Sequence, residues 1–313
     1  SEPLPVRPDL AAITRDLAAG EANGAVRVAK FGRQRLLGAT AVAVIMPLYN
    51  HSRYLERTLG SLAAQTRIPD ELVVVDDGST DGSAAIVEAF AASAPFPVKL
   101  VRQKNAGADC ALNRGMALTD AGIIALLNSD DAFAPTRLAL LVDALMGGVD
   151  LAFSRCAFID EDDRPAEGAY VRRLQERQDE AARGPTLLHA LVRYNVAVST
   201  GNLVFRRALL EHTGGFAPLA VCHDWDFLLA ASYATRFAFV PEPLYRYRLH
   251  DANTFSGRRV AGMIEGEIAL HRFFARIAAH PWLDAHSYPA FVEFAHGAGL
   301  GGYLSHASGS IRA

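Results

Sequence analysis

Two pairs of adjacent acids, Asp76-Asp77 and Asp130-Asp131, each close a short apolar run in this sequence. Carboxylates held that close repel one another, and a divalent cation carrying a phosphate relieves the repulsion. A carboxylate at the edge of a buried sheet is also suited to accept the ring N–H of a pyrimidine base. Simpler roles fit part of the pattern. Asp131 could cap the helix after Pro135 with Asp130 merely solvated, and Ser79 or Asp81 could cap the helix after the first pair. Capping leaves Asp76 and Asp77 unexplained. Farther on, His223-Asp-Trp-Asp-Phe227 and His250 supply groups able to move a proton or bind a metal. There too the plain alternatives stay open: Asp224 as a helix cap, Asp226 as the base instead, Trp225 as core, His250 as a hydrogen-bonded surface residue.

The elements that must position these groups alternate regularly. Ala41–Met46, Leu72–Val75, Val98–Val101 and Gly122–Leu127 read as strands. Between them run helices marked by Leu55, Leu59 and Leu62, by Ile86, Val87 and Phe90, and by Leu112, Met116 and Leu118. That βαβαβαβ order predicts a mainly parallel sheet with helices on both faces. All the polar strings, Pro47–Asn50, Asp76–Ser79, Asn105–Gly107 and Asn128–Asp131, fall just past strands. Such sheets bind ligands at that edge. Before the sheet, Asp9 can cap a helix carrying Leu10, Ile13 and Leu17 and ending at Gly20. Beyond it, Val149–Phe158, Asn202–Phe205, Phe237–Val240 and Tyr245–Tyr247 read as further strands. Arg172–Arg183 reads chiefly as a solvated loop with a helix, with a mobile acceptor loop as the alternative, and Trp225–Ala231 as a helix. Met263–Ile277 is expected to be an amphipathic helix with Arg272 and Arg276 on its polar side. The expected divisions are an N-terminal helical extension 1–38, a main domain 39–256 and a C-terminal helical segment 257–313.

Totals exclude several classes. Half of the 313 residues are hydrophobic, enough for a large core, and the net charge of −3 offers no basic field for nucleic acid. The longest apolar run, Ala41–Leu48, is too short to span a bilayer. Cys110, Cys156 and Cys222 have no metal-binding or disulfide spacing. No signal-peptide layout opens the chain, so a cytoplasmic protein is expected, with peripheral membrane contact left open for the helix at Met263–Ile277.

Eight strings in fixed order carry a resemblance. Val44-Ile-Met-Pro-Leu-Tyr-Asn50, Val75-Asp-Asp-Gly-Ser-Thr-Asp81, Asn105-Ala-Gly107 with Asn113, and Leu127-Asn-Ser-Asp-Asp131 form one half. Gly201-Asn-Leu-Val-Phe-Arg-Arg207, Thr213-Gly-Gly-Phe216, His223-Asp-Trp-Asp-Phe227 and Tyr245-Arg-Tyr-Arg-Leu-His250 form the other. Together they resemble family 2 glycosyltransferases of the GT-A fold, over roughly residues 41 to 256. The resemblance implies an inverting transferase that takes a sugar from a nucleoside-diphosphate donor, a UDP-sugar first, to the hydroxyl of a carbohydrate or lipid-linked acceptor.

It also implies roles. Pro47, Tyr49 and Asp77 would hold the base, with Asp77 accepting from uracil N3–H, and Asn50 and Asn105 belong to the same nucleotide-side strings. Asp130 would contact the ribose. Asp131 and His250 would bind Mn²⁺ or Mg²⁺, and Asp224 would be the general base. Two departures accompany these roles: Asn128 replaces the acid that often begins the family's Asp-x-Asp, and His223 replaces the usual Glu. The competing functions are a sugar nucleotidyltransferase, which would show a Gly-rich phosphate loop after its first strand, and a catalytically inactive nucleotide- or glycan-binding module.

Overall fold

The computed structural model describes residues 7–183, 187–251, 253, 258–278 and 288–297. Three strands, β2 (Val42–Leu48), β3 (Glu71–Asp76) and β5 (Ile123–Leu126), form the sheet's centre, and their apolar side chains are almost wholly buried on both faces. With β4 (Val98–Gln103) they run parallel, as the βαβ order requires. The full sheet has nine strands in the order β1-β4-β3-β2-β5-β8-β7-β9-β6. Here β1 is Val26–Phe31, β6 is Ala132–Phe133, β7 is Leu151–Ile159, β8 is Val204–Arg206 and β9 is Phe237–Arg248.

Alternation along the strands divides the core in two. Val42, Val44 and Met46 face helices α2 (Ser52–Ala63) and α5 (Arg137–Met146), through Leu55, Leu59, Leu138 and Leu141. Ala43 and Ile45 face α4 (Ala108–Ala117), through Leu112 and Met116. Each of these Val, Leu, Ile and Met side chains stabilises the fold by about 1.5–3 kcal/mol relative to exposure. This packing holds the carboxyl ends of β2, β3 and β5 rigidly beside one another, which is where the acids lie.

The N-terminal extension is more than a helix. Asp9 caps α1 (Leu10–Ala22) as expected, accepting the Ala12 N–H at 2.5 Å, but the helix runs past Gly20. The chain then forms β1, which pairs antiparallel with β4 at the sheet edge. Arg27 and Lys30, exposed on opposite faces of that edge strand, interrupt it with charge, so it lacks a strong apolar run. Helix α3 (Ser83–Ala91) completes the first half.

In the second half, Ala169–Arg183 is a 15-residue helix, α6, burying Val171, Leu174 and Ala181, so the helical part of the expected solvated loop with a helix covers the whole of Arg172–Arg183. Helices α7 (Leu187–Leu191), α8 (Leu210–Thr213) and α9 (His223–Ala231) follow. The two short strands expected near Phe237 and Tyr245 are one long strand, β9, whose pairing with β7 is irregular at Ser154–Cys156. Helix α10 (Arg259–Ala278) is present, but with its faces partly exchanged. Arg272 points at the buried Asp226, while Val260, Met263 and Ile264 are exposed. Helix α11 is Tyr288–Gly297. The expected boundary at 256/257 lies outside the described residues. Among the described residues, no helix is long and apolar enough to cross a membrane.

Candidate active site

Asp77 follows the last residue of β3 and is gripped from the next loop. Its Oδ1 accepts Gln103 Nε2 at 2.7 Å and the Ala106 N–H at 2.8 Å, and its Oδ2 accepts the Gly107 N–H at 2.9 Å. A carboxylate offers about four acceptor positions, so one on Oδ2 is left. Beside it, Asn50 adopts a left-handed φ of 54°. That lets its N–H donate to Ser79 Oγ at 3.0 Å while its Oδ1 accepts the Thr80 N–H at 2.8 Å, tying the β2 loop to the β3 loop. Asp81 is the local cap, accepting the N–H groups of Ser52 and Ser83. Burial would raise its carboxyl, yet the hydrogen bonds from Ser83 and Ser52 pull it down to about 2. Pro47 is half-buried in β2, whereas Tyr49, 48% exposed, and Asn105 lie open at the same edge.

The two carboxylates of the second acid pair face different partners. Asp130 Oδ2 lies 3.0 Å from His250 Nε2 and 3.8 Å from His51 Nε2. One ligand atom from each of these three residues lies within 4.8 Å of the others. Outside the group, the Tyr54 ring stacks on His250 at 4.9 Å; within it, His51 is anchored by Ser129 Oγ at 2.8 Å from its Nδ1. Burial alone would raise the Asp130 carboxyl. The His250 hydrogen bond and the nearby His51 outweigh it and hold the group below its ordinary value.

Asp131 turns the other way. Its Oδ2 accepts the Tyr245 hydroxyl at 2.5 Å and Asn128 Nδ2 at 3.2 Å, and its Oδ1 accepts the Arg248 N–H at 2.8 Å. Burial and the charge of Asp130 push this carboxyl well above its ordinary value, against the pull of Tyr245 and Arg248. Asp131 was expected to bind the cation and Asp130 the ribose. The oxygen that lies beside His51 and His250 is Asp130's, while Asp131, 1% exposed with three donors on its two oxygens, keeps one acceptor position on Oδ1. Asn128 donates to Asp131 and to Ser199 Oγ, so the amide serves as a structural bridge. Gly201 makes the arrangement possible, since a Cβ there would sit 2.0 Å from the Tyr245 hydroxyl and 2.7 Å from the Asn128 nitrogen.

Asp224 occupies the first turn of α9 and is 6% exposed. Its Oδ2 accepts Asn195 Nδ2 at 2.8 Å and its Oδ1 takes the adjacent Trp225 N–H. Burial raises its carboxyl, with His223 pulling the other way. A buried carboxyl with an upward shift is suited to receive a proton. His223 Nδ1 lies 3.1 Å from the Leu219 carbonyl, which can only accept, so that nitrogen carries the hydrogen. Its Nε2 meets Thr200 Oγ1 at 3.0 Å. Asp226, the other acid of the string, is fully buried between Arg7 Nε at 2.7 Å and Arg272 Nη1 at 3.2 Å. The Trp225 indole N–H donates to the Leu191 carbonyl at 2.7 Å, leaving its ring half-buried.

Two residues at this edge had no distinguishing sequence signal. His51 joins Asp130 and His250 only through folding, because the three come from separate loops. Asp109, in the first turn of α4, has its carboxyl raised by burial and drawn back by His223.

The comparisons with known proteins agree with this architecture. The chain is 30% identical over 224 residues to an uncharacterised glycosyltransferase of Nostoc sp., covering 68% of this chain and 66% of that one. It is 27% identical to the putative glycosyltransferase EpsH of Bacillus subtilis, covering 67% of this chain and 61% of that protein. The chain thus spans less than two thirds of either relative. Among solved structures, Staphylococcus aureus TarS with UDP-GlcNAc superposes with a TM-score of 0.61 at 21% identity, covering 82% of this chain and 72% of TarS. The Pyrobaculum calidifontis mannosyltransferase PcManGT, solved with GDP-Man and Mn²⁺, gives 0.54 at 20% identity, covering 96% and 97%. These structures establish the GT-A type of sheet. The sequence profile described as Glycosyl transferase family 2 matches residues 43–214, more than half of the chain, and the protein belongs to that family.

Proposed function

We propose that this protein is a metal-dependent, inverting glycosyltransferase that takes a sugar from a UDP-sugar and passes it to a carbohydrate hydroxyl in polysaccharide or glycoconjugate synthesis. The observation that carries the reading is the cluster of Asp130, His250 and His51 at the ligand-binding edge of the sheet. Two imidazole nitrogens and one carboxylate oxygen favour a transition-metal ion over Mg²⁺, which prefers an all-oxygen set, and Mn²⁺ is the ion bound by the fold neighbour PcManGT. Those three residues would hold the ion, and when bound it supplies charge neutralisation for the departing diphosphate. The glucosyl-3-phosphoglycerate synthase of Mycobacterium tuberculosis, another fold neighbour, binds Mn²⁺ and UDP-glucose.

Asp77 would select the base. Three of its acceptor positions are filled by the protein, and the remaining one matches a single imide N–H. Fold neighbours bind both UDP- and GDP-sugars, so the choice rests on this carboxylate and not on the architecture. Asp224 would take the proton from the acceptor hydroxyl as its oxygen attacks the anomeric carbon. Burial keeps that carboxylate basic enough for the task. Membership of family 2 supports inversion of configuration as part of this reading.

Thermal unfolding with UDP or GDP, each with and without Mn²⁺, tests this. A ligand at a hundred times its Kd stabilises the fold by about 2.7 kcal/mol. UDP with Mn²⁺ should therefore raise Tm clearly, UDP alone less, and GDP little. Stabilisation by GDP and not UDP would remove the Asp77 assignment; equal stabilisation with and without Mn²⁺ would remove the metal.

A further inference from the structure

Helix α10 reaches the candidate base through one carboxylate. Glu265 Oε1 accepts the Ala220 N–H at 2.9 Å, and its Oε2 accepts those of Val221 at 2.7 Å and Cys222 at 2.9 Å. These three consecutive amides lie immediately before α9, whose first turn carries Asp224. The amino end of a helix carries unpaired N–H groups and partial positive charge. Cys222, at the cap position, makes no side-chain hydrogen bond to this turn; its thiol donates to the Gly262 carbonyl of α10 at 3.4 Å. The anion that completes this turn comes instead from a helix more than forty residues farther along the chain.

The next residue of α10 adds a second contact. Gly266 lies against Trp225, and a Cβ there would meet Trp225 Cζ3 at 3.1 Å. Asp224 is thus bracketed: the backbone before it is held by Glu265, and the ring after it rests on Gly266. Deeper in α9, Asp226 is held independently by Arg7 and Arg272. Releasing Glu265 therefore frees the amino end of α9 while the rest of the helix stays anchored.

We propose that Glu265 is a positioning residue for sugar transfer, fixing Ala220–Cys222 so that the Asp224 carboxylate meets the acceptor oxygen. The proposal rests on Asp224 being the base. Misplacing a reacting group by about 1 Å costs on the order of 10²-fold in rate. The nucleotide side, held through Asp77 and Asp130, makes no use of Glu265.

The test compares Glu265→Gln, which keeps an acceptor oxygen at the Oε2 position, with Glu265→Ala, which keeps none. The readouts are UDP release from UDP-glucose or UDP-N-acetylglucosamine, whichever the unaltered protein turns over, and the calorimetric Kd for UDP with Mn²⁺. UDP release should fall in the order wild type, Gln, Ala, with Ala down by about 10²-fold. The nucleotide Kd should stay within about twofold, and amide exchange at 220–222 should rise in the same order as the losses. A merely structural contact gives faster exchange with unchanged turnover, and that result overturns the proposal. Should Glu265→Ala lose its thermal transition, Glu265→Gln decides alone, and wild-type turnover in it is equally fatal.

Coupling to Asp224 is read from the double variant. If Glu265 acts through the base, Glu265→Ala adds no further loss to Asp224→Asn, whereas losses that multiply overturn the idea. Full turnover in Asp224→Asn alone removes the base and this proposal with it. Full turnover in Glu265→Ala alone removes only the proposal.

Discussion

His250 Nε2 lies 3.0 Å from the carboxylate of Asp130, a residue 120 positions earlier in the chain. Asp131, next to it, is bound up with Tyr245 and Arg248. The two neighbouring acids should therefore answer differently to substitution. Asp130→Ala should abolish the Mn²⁺ dependence of nucleotide binding, and His250→Ala or His51→Ala should shift the Mn²⁺ titration to higher concentration. Asp131→Ala leaves a buried hydroxyl and a backbone N–H without their acceptor, at about 1–3 kcal/mol each. It should lower stability in urea while a folded fraction keeps its metal response. Loss of metal response in Asp131→Ala with full stability would return the ligand to Asp131.

Asp77→Asn should discriminate base recognition from scaffolding. An amide keeps the shape but turns an N–H toward one of the donors that Asp77 now satisfies. Losing one hydrogen bond to a charged acceptor costs about 1.5–3 kcal/mol, so the Kd for UDP should rise by about tenfold or more. Unchanged UDP affinity measured by calorimetry would mean that the fourth acceptor position of Asp77 is not used by the base.

Much of this site was legible in the sequence, for a local reason. An apolar run that ends in acids places those acids at the sheet edge whatever the rest of the chain does, and Asp77 and Asp130 lie there. Choosing between Asp130 and Asp131 was not a local question. Adjacent residues leaving a strand face different ways, and the groups that claim Asp131 arrive from β9, 114 and 117 positions later. His51 carried no spacing to His250 or Asp130 for the same reason. Strand β1 was missed because an edge strand with Arg27 and Lys30 exposed lacks the buried apolar run that marked the central strands. Arg272 was assigned to a polar face because nothing local to α10 reveals the buried charge of Asp226 that draws it inward.

Asp226 should behave as a stability residue. Its carboxylate is fully buried between Arg7 and Arg272, whose side chains are 14% and 15% exposed. Removing one partner of a buried ion pair leaves uncompensated charge, costing about 3–5 kcal/mol. Asp226→Ala should show that loss in urea unfolding, and the fraction that remains folded should turn over donor normally. A stable but inactive Asp226→Ala would transfer the catalytic role to this residue.

Asp224→Asn isolates proton transfer from packing. Asparagine retains an oxygen for the Asn195 amide but cannot take up a proton at neutral pH. General-base contributions are about 10² to 10⁴-fold, and turnover should fall on that scale while UDP affinity holds. The direction of the Asp224 shift makes two further demands. Its carboxyl is raised in the folded protein, by burial first. A base must be ionised to act, so turnover should decline on acidification through that raised value, above the ordinary carboxylate range, and this limb should vanish in Asp224→Asn. The linkage to folding runs the opposite way. A raised folded value stabilises the protein fully below the unfolded carboxyl's pKa of about 3.9, and that contribution is lost as pH climbs through the folded value. At neutral pH the native protein bears the cost of an ionised, buried carboxylate that Asp224→Asn does not. That relief offsets the hydrogen bond that the amide loses to one of the two donors of Asp224, so the variant should unfold at a urea concentration close to that of wild type. A less stable Asp224→Asn with normal turnover would make Asp224 a structural residue and leave the acceptor proton to another group.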